Sequence, residues 1–283
     1  MAEIYITEKL ISQYAQQLHE EEKSRVTIEK YVRDIKAFAC YAGTRILTKE
    51  LAVAYKNMLT EKGGKVASIN SALSSLNSFL TFCGRRDCKV CLCRVQKMVY
   101  LAANRELTKA EYQRLLQAAV GDRRLWLLLQ TICATGIRVS ELQYFTVEAV
   151  KTGEISVSCK SKNRSVLLPR DLQKRLLRYA KERSIESGVI FRTRTGQPMN
   201  RSNIWKSMKR LCEQAKVDPG KVFPHNLRKL FARTFYAQEK DLAKLADMLG
   251  HSSINTTRIY IMSTGAEHRR LLERMNLLPQ WAT

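Results

Sequence analysis

The sequence predicts a mainly helical protein of two domains. An N-terminal helical bundle is followed by a domain in which helices surround a small antiparallel β-sheet. Three observations lead there. The chain has 283 residues, and at roughly 100–200 residues per domain that length suits two. Apolar residues recur with helical spacing in both halves, separated by a charged, aperiodic stretch. Only the second half contains short runs that alternate as strands do. The expected boundaries are a first domain over 1–84, a linker over 85–106 and a second domain over 107–283.

The first domain reads as four helices. Leu10, Ile11, Tyr14, Ala15 and Leu18 share one helical face, as do Ile28, Tyr31, Val32 and Ile35. A third helix starts at Thr48 and carries Leu51, Tyr55, Met58 and Leu59. A fourth starts near Ser68, with Ile69, Leu73, Leu76 and Leu80 on its face. Gly43, the Gly63–Gly64 pair and Gly84 fall at the breaks. Short connections between such helices make a bundle.

The second domain opens with Thr108 followed by Glu111, a capping box. Helical patterns run over Glu111–Ala119 and Arg123–Thr135. Ile155, Val157 and Cys159 alternate with polar residues, and Val166–Leu168 follows, so Lys160–Arg164 reads as a hairpin loop. Val189–Phe191 is expected as a third strand. From Ser202 the pattern is helical again, broken at Asp218–Gly220, Gly250 and Gly265.

Charge narrows the function. Lys and Arg number 49 against 26 Asp and Glu, a net charge of +23. The second domain alone holds 32 basic and 15 acidic residues, a net +17. Such a balance points to a polyanionic partner. The most apolar run, Leu125–Ala134, is far short of the ~20 residues a bilayer span needs, and the N-terminus lacks a basic and then apolar leader. The expectation is a cytoplasmic, nucleoid-associated protein with no membrane partner. The eight cysteines are then reduced thiols. Cys83, Cys88, Cys91 and Cys93 contain one CxxC spacing but no second pair, so no metal and no cofactor is expected.

Three segments carry candidate chemistry. His225 and Arg228 are three apart in a helix that opens at Pro224, so an imidazole and a guanidinium project together. A guanidinium grips phosphate through two parallel hydrogen bonds. His251 sits in a turn after Gly250, and Tyr260 lies about two turns into the helix that Ser253 caps. Arg138 lies beside the Thr135–Gly136 turn, where a helix N-terminus also favours an anion. Lys160 begins the hairpin loop. Singly, each is explained as well by a capped helix, a solvated turn or a surface cation.

Together the segments resemble the tyrosine recombinase family, the phage-integrase and Xer-type enzymes. The resemblance rests on TGIRVSEL around Arg138, HNLR at 225–228 and LGHSSINTTRIY ending in Tyr260. The order Arg, Lys, His-x-x-Arg, His, Tyr is the family order, and the nine-residue step from His251 to Tyr260 is the family spacing. The first domain resembles the family's SAM-like core-binding domain in size and pattern only. Lys229 stands where the family often has a second His. The hairpin loop is one residue longer than in many relatives, so the family's lysine falls on Lys160 with Lys162 as the alternative.

The resemblance implies a site-specific recombinase that uses neither metal nor ATP. Tyr260 would attack the scissile phosphate and form a 3′-phosphotyrosyl link. Arg138, Arg228 and His251 would hold the non-bridging oxygens. His225 would handle the nucleophile's proton, and Lys160 would protonate the leaving 5′ oxygen. Lys162, Arg164, Arg201 and Lys206 are expected to contact DNA. The partners implied are double-stranded DNA, further copies of the chain in a four-protomer synapse, or a related recombinase. Rival readings are a type IB topoisomerase-like relaxase and a non-catalytic basic DNA-binding regulator.

Overall fold

A computed structural model describes residues 3–94, 106–159, 162–262, 265–275 and 277. The chain divides into two compact units, Met1–Lys97 and Met98–Thr283.

The first unit is a four-helix bundle: α1 (Glu8–Glu20), α2 (Arg25–Ala42), α3 (Lys49–Glu61) and α4 (Val66–Phe82). Thr7, Ser24 and Thr48 cap the first three by accepting from backbone N–H groups one turn on. Helix α4 begins two residues before the expected Ser68. Its N-cap is Lys65, which makes no side-chain cap bond, so the sequence carries no start signal there. Ile35, Phe38, Leu73, Leu76, Phe79 and Leu80 are fully buried, and Tyr14 packs edge-on against Phe79 at 5.2 Å. Lys30 Nζ bridges α2 to α4 by donating to Asp34 Oδ2 at 2.7 Å and the buried Ser75 Oγ at 2.9 Å.

Residues 85–93, at the start of the expected linker, are held to this unit by hydrogen bonds. Arg85 Nη1 donates to Leu47 O at 2.8 Å. Two asparagines on α4 pair with the chain as a neighbouring strand would. Asn77 Nδ2 donates to Val90 O and its Oδ1 accepts from Val90 N, and Asn70 does the same for Cys93. Cys88 and Val90 are buried in the bundle core, whereas Cys91 is exposed.

The second unit starts with α5 (Lys109–Ala118), where the Thr108–Glu111 capping box is formed in both directions. Next comes α6 (Arg123–Thr135), buried on nearly every side through Leu125, Leu127, Leu128, Leu129 and Ile132. A helix apolar all round belongs at the centre of a core. A 3-10 turn (Val139–Tyr144) and α7 (Val147–Thr152) lead to β1 (Glu154–Cys159) and β2 (Lys162–Leu167). These strands pair antiparallel from Glu154 opposite Leu167 to Cys159 opposite Lys162. Thus Lys162–Arg164, expected in the loop, belong to β2. Lys160 lies outside the described residues.

The remaining helices are α8 (Arg170–Glu182), α9 (Arg201–Ala215), α10 (Pro224–Glu239), α11 (Leu242–Leu249), α12 (Ile254–Ile261) and α13 (Gly265–Arg274). The described sheet has two strands, not three. Val189 makes an isolated bridge to Thr146, and Arg192 makes another to Pro198. Ile190 and Phe191 are apolar because they enter the core, not because they join a ladder. Helix α12 ends at Ile261, short of the break expected at Gly265, and Gly265 itself opens α13.

Candidate active site

The C-terminal end of α6 brings the chain to the site. Gly136 ends that helix in a left-handed conformation, φ +63°. A Cβ there would lie 2.3 Å from the Phe231 ring, so only glycine lets α10 pack this close. Arg138 follows two residues later at the head of the 3-10 turn. Glu141, buried at 1% exposure, holds it twice. One carboxylate oxygen accepts from the Arg138 backbone N–H at 2.8 Å and the other from Nη1 at 2.9 Å.

Helix α10 supplies His225 and Arg228. Its Pro224 occupies the first turn, where the missing N–H costs nothing. Arg228 is 2% exposed. Its Nη1 donates to Gly136 O at 2.5 Å, and its Nη2 to Leu249 O at 2.7 Å and His251 Nε2 at 3.0 Å. The guanidinium therefore ties together the ends of α6, α10 and α11. Among the described residues no carboxylate touches it, and burial lowers its pKa to about 10, so it stays charged at neutral pH.

Gly250 ends α11 with φ +63° and turns the chain so that His251 faces Arg228. Helix α12 then carries Tyr260 back to the same point. Tyr260 is 6% exposed, and its ring packs against two imidazoles. It lies 5.0 Å from His225 and 5.1 Å from His251, nearly parallel to the latter at 18°. His251 Nδ1 is 2.8 Å from Thr257 Oγ1. Both histidines are held neutral. Loss of water lowers each pKa to about 4. Lys229, Arg228, Arg201 and Arg138 add to this at His225; Arg228, Arg138, Arg164 and His225 do so at His251.

Beside these groups is a cleft of about 350 Å³ lined by Arg138, Ser140, Arg201, Trp205, His225 and Arg228. Of the expected catalytic set, Arg138, His225, Arg228, His251 and Tyr260 thus come together. Lys160 falls outside the described residues. Arg201 reaches the cleft, and Lys206 is exposed on the same helix, α9.

Arg164, expected to contact DNA, has a side chain that is 13% exposed. Its Nη2 donates to Glu141 Oε2 at 2.6 Å, and its Nη1 to Met248 O. The same carboxylate thus holds Arg138 and β2. A Cβ on Gly250 would lie 2.4 Å from Arg164 Cδ, so the glycine also makes room for this side chain. Glu141, Thr257 and the exposed Trp205 were not singled out from sequence. Glu141 had a signal in its capping-box spacing from Arg138. Among the described residues no group of three or more His, Cys, Asp or Glu could hold a metal ion, and no helix is long and apolar enough to cross a membrane.

The family model for the phage integrase family matches residues 105–267, and that for the phage integrase N-terminal SAM-like domain matches residues 11–87. The chain is 26% identical over 286 residues to a tyrosine recombinase, XerA, of Pyrococcus furiosus, covering 98% of each chain. It is 30% identical over 267 residues to the tyrosine recombinase XerD of Xanthomonas axonopodis pv. citri, covering 84% of this chain and 87% of that one. In fold it is similar to a lambda integrase dimer crystallised on a COC′ core site, with TM-score 0.73 and 18% identity over 92% of this chain and 96% of the other. With both units matched in order and over nearly their whole length, the chain belongs to the phage integrase family and is a tyrosine recombinase.

Proposed function

We propose that this chain recombines duplex DNA at specific sites by way of a covalent 3′-phosphotyrosyl intermediate on Tyr260. One observation carries the reading. A tyrosine ring is packed against two neutral imidazoles, beside a buried guanidinium that no carboxylate among the described residues touches.

The residues divide the work by their chemistry. Tyr260 Oη attacks phosphorus, and its proton passes to His225, whose neutral ring has a free lone pair to take it. Arg138 and Arg228 hold the non-bridging oxygens and offset the charge that grows on them. His251 donates a further hydrogen bond to those oxygens. Lys160, supported here by the family order alone, gives a proton to the departing 5′ oxygen. The new phosphotyrosyl ester keeps the energy of the broken bond, so rejoining needs no ATP.

Around this centre, Arg201, Lys206 and Lys162 are the proposed DNA contacts, and Trp205 offers an apolar face beside them. The protein acts in the cytoplasm on nucleoid DNA. Protomers assemble on DNA into a four-membered synapse or pair with a related recombinase.

A nicked suicide duplex tests the reading. Wild-type protein accumulates a covalent adduct, and Tyr260→Phe binds the duplex with near-normal affinity and forms none. An adduct with the Phe variant assigns the nucleophile elsewhere. Relaxation of plasmid without recombination between two sites would instead identify a topoisomerase.

A further inference from the structure

His251 is held at both ring nitrogens, and the two bonds fix each other's direction. Arg228 Nη2 lies 3.0 Å from Nε2. A guanidinium has no lone pair to offer, so Nε2 is the acceptor. The proton of the neutral ring therefore sits on Nδ1, and Thr257 Oγ1 accepts it at 2.8 Å. This is the reverse of what the proposed reaction asks, in which Nε2 donates to a phosphate oxygen. On binding DNA, Arg228 Nη2 must turn from Nε2 to the phosphate, and Nε2 must acquire a proton.

Thr257 is fully buried and stands on α12, three residues before the nucleophile. We propose that Thr257 is a positioning residue whose hydroxyl grips His251 Nδ1 in both states, accepting in the free protein and donating in the DNA complex. A hydroxyl can do either, whereas a backbone carbonyl in its place could serve only the first state. The protons balance through solvent: Nδ1 releases one, Nε2 takes one up, and the ring remains neutral. A doubly protonated ring is opposed by the charges that face it, namely Arg228 from α10, Arg138 from the 3-10 turn and Arg164 from β2; His225 also faces it from α10. Because Thr257 and Tyr260 share a helix, the same grip keeps the imidazole parallel to the tyrosine ring.

The inference rests on His251 acting as a donor to phosphate. Two measurements on the full chain test it. The first is single-turnover cleavage of a suicide duplex. Thr257→Val should lower the rate by about tenfold, the worth of one lost hydrogen bond. Duplex affinity should be unchanged, and Thr257→Ser should recover most of the rate. A Val variant as fast as wild type, or a Ser variant as slow as Val, overturns the proposal. The second is 15N NMR of the histidine rings in the Tyr260→Phe protein, which does not depend on how the Thr257 variants fold. His251 should carry its proton on Nδ1 when free and on Nε2 with an uncut duplex. An Nε2 that stays unprotonated on DNA overturns the switch. His251→Ala separates the two layers. If it cleaves at the wild-type rate, the role given to His251 fails. If it is slow while Thr257→Val is not, only the role given to Thr257 fails.

Discussion

Arg228 is a cation buried at 2% exposure with three hydrogen-bond acceptors and, among the described residues, no carboxylate in direct contact. Burying a charge is costly unless it is well paired. The cost here is met partly by two carbonyls, Gly136 O and Leu249 O, whose positions the guanidinium fork spans. Lysine has the charge but not the fork. Arg228→Lys should therefore cleave a suicide duplex about 10²–10³-fold more slowly, the range for losing one preorganised donor to a developing oxyanion, with a much smaller change in duplex affinity. The two neutral histidines predict a pH effect on stability. Each is lowered from 6.5 to about 4 in the folded protein. Between those values the unfolded chain binds more protons than the folded one, so stability is full above pH 6.5 and falls as pH drops toward 4. Thermal melts should show this decline, and His251→Gln should shallow it. At this scale the sequence was readable where chemistry is spelled by spacing, as in His225, Arg228, His251 and Tyr260. It was nearly silent on Glu141 and Thr257: the one signal was the spacing of Glu141 from Arg138, and the burial that gives both residues their roles is set by the fold.

The elements meet at three helix ends: the C-termini of α6 and α11 and the N-terminus of α10. Two of those ends are glycines with positive φ, Gly136 and Gly250. Both could be read as helix breaks. Their second role, leaving space for Phe231 and for Arg164, depends on which element packs across them. Gly136→Ala should destabilise the protein by about 1–2 kcal/mol from the left-handed backbone alone, and by more once the Phe231 ring is displaced. Urea unfolding measures the sum, and a loss below 1 kcal/mol would mean that α10 yields easily. The misread elements have a common cause. Val189–Phe191 has the composition of a strand because it is buried, and composition does not separate burial from pairing. Arg164 has the composition of a surface cation, but the β1–β2 register turns it toward Glu141. Asn70 and Asn77 look like solvated positions on α4, yet they hold residues 90 and 93 to the bundle.

For the whole molecule, the two-unit division and the basic balance were legible because both are sums over many residues, and sums tolerate local error. The tail is different, since its role depends on what it packs against. Helix α13 has only 10 residues, too few to be stable alone in water. An ion pair ties its first turn to its own unit, Arg233 Nη2 to Glu267 Oε1 at 2.9 Å, and Arg233 also holds the buried Glu106. Beyond that anchor Leu271, Leu272 and Met275 are all more than half exposed. An apolar stripe at helical spacing that the described residues of its own unit leave exposed is suited to a second copy of the chain. If each protomer lends its tail to the next, a ring of protomers closes, and the contact falls on the helix that follows the one carrying Tyr260. A chain ending at Thr264 should then bind a single half-site with wild-type affinity and keep its circular dichroism spectrum. It should lose cooperative binding to a full site and with it strand exchange. If the shortened chain recombines two sites at the full-length rate, the tail couples nothing. If it unfolds, α13 serves its own unit through Arg233 and Glu106, and protomer coupling must be sought on another surface.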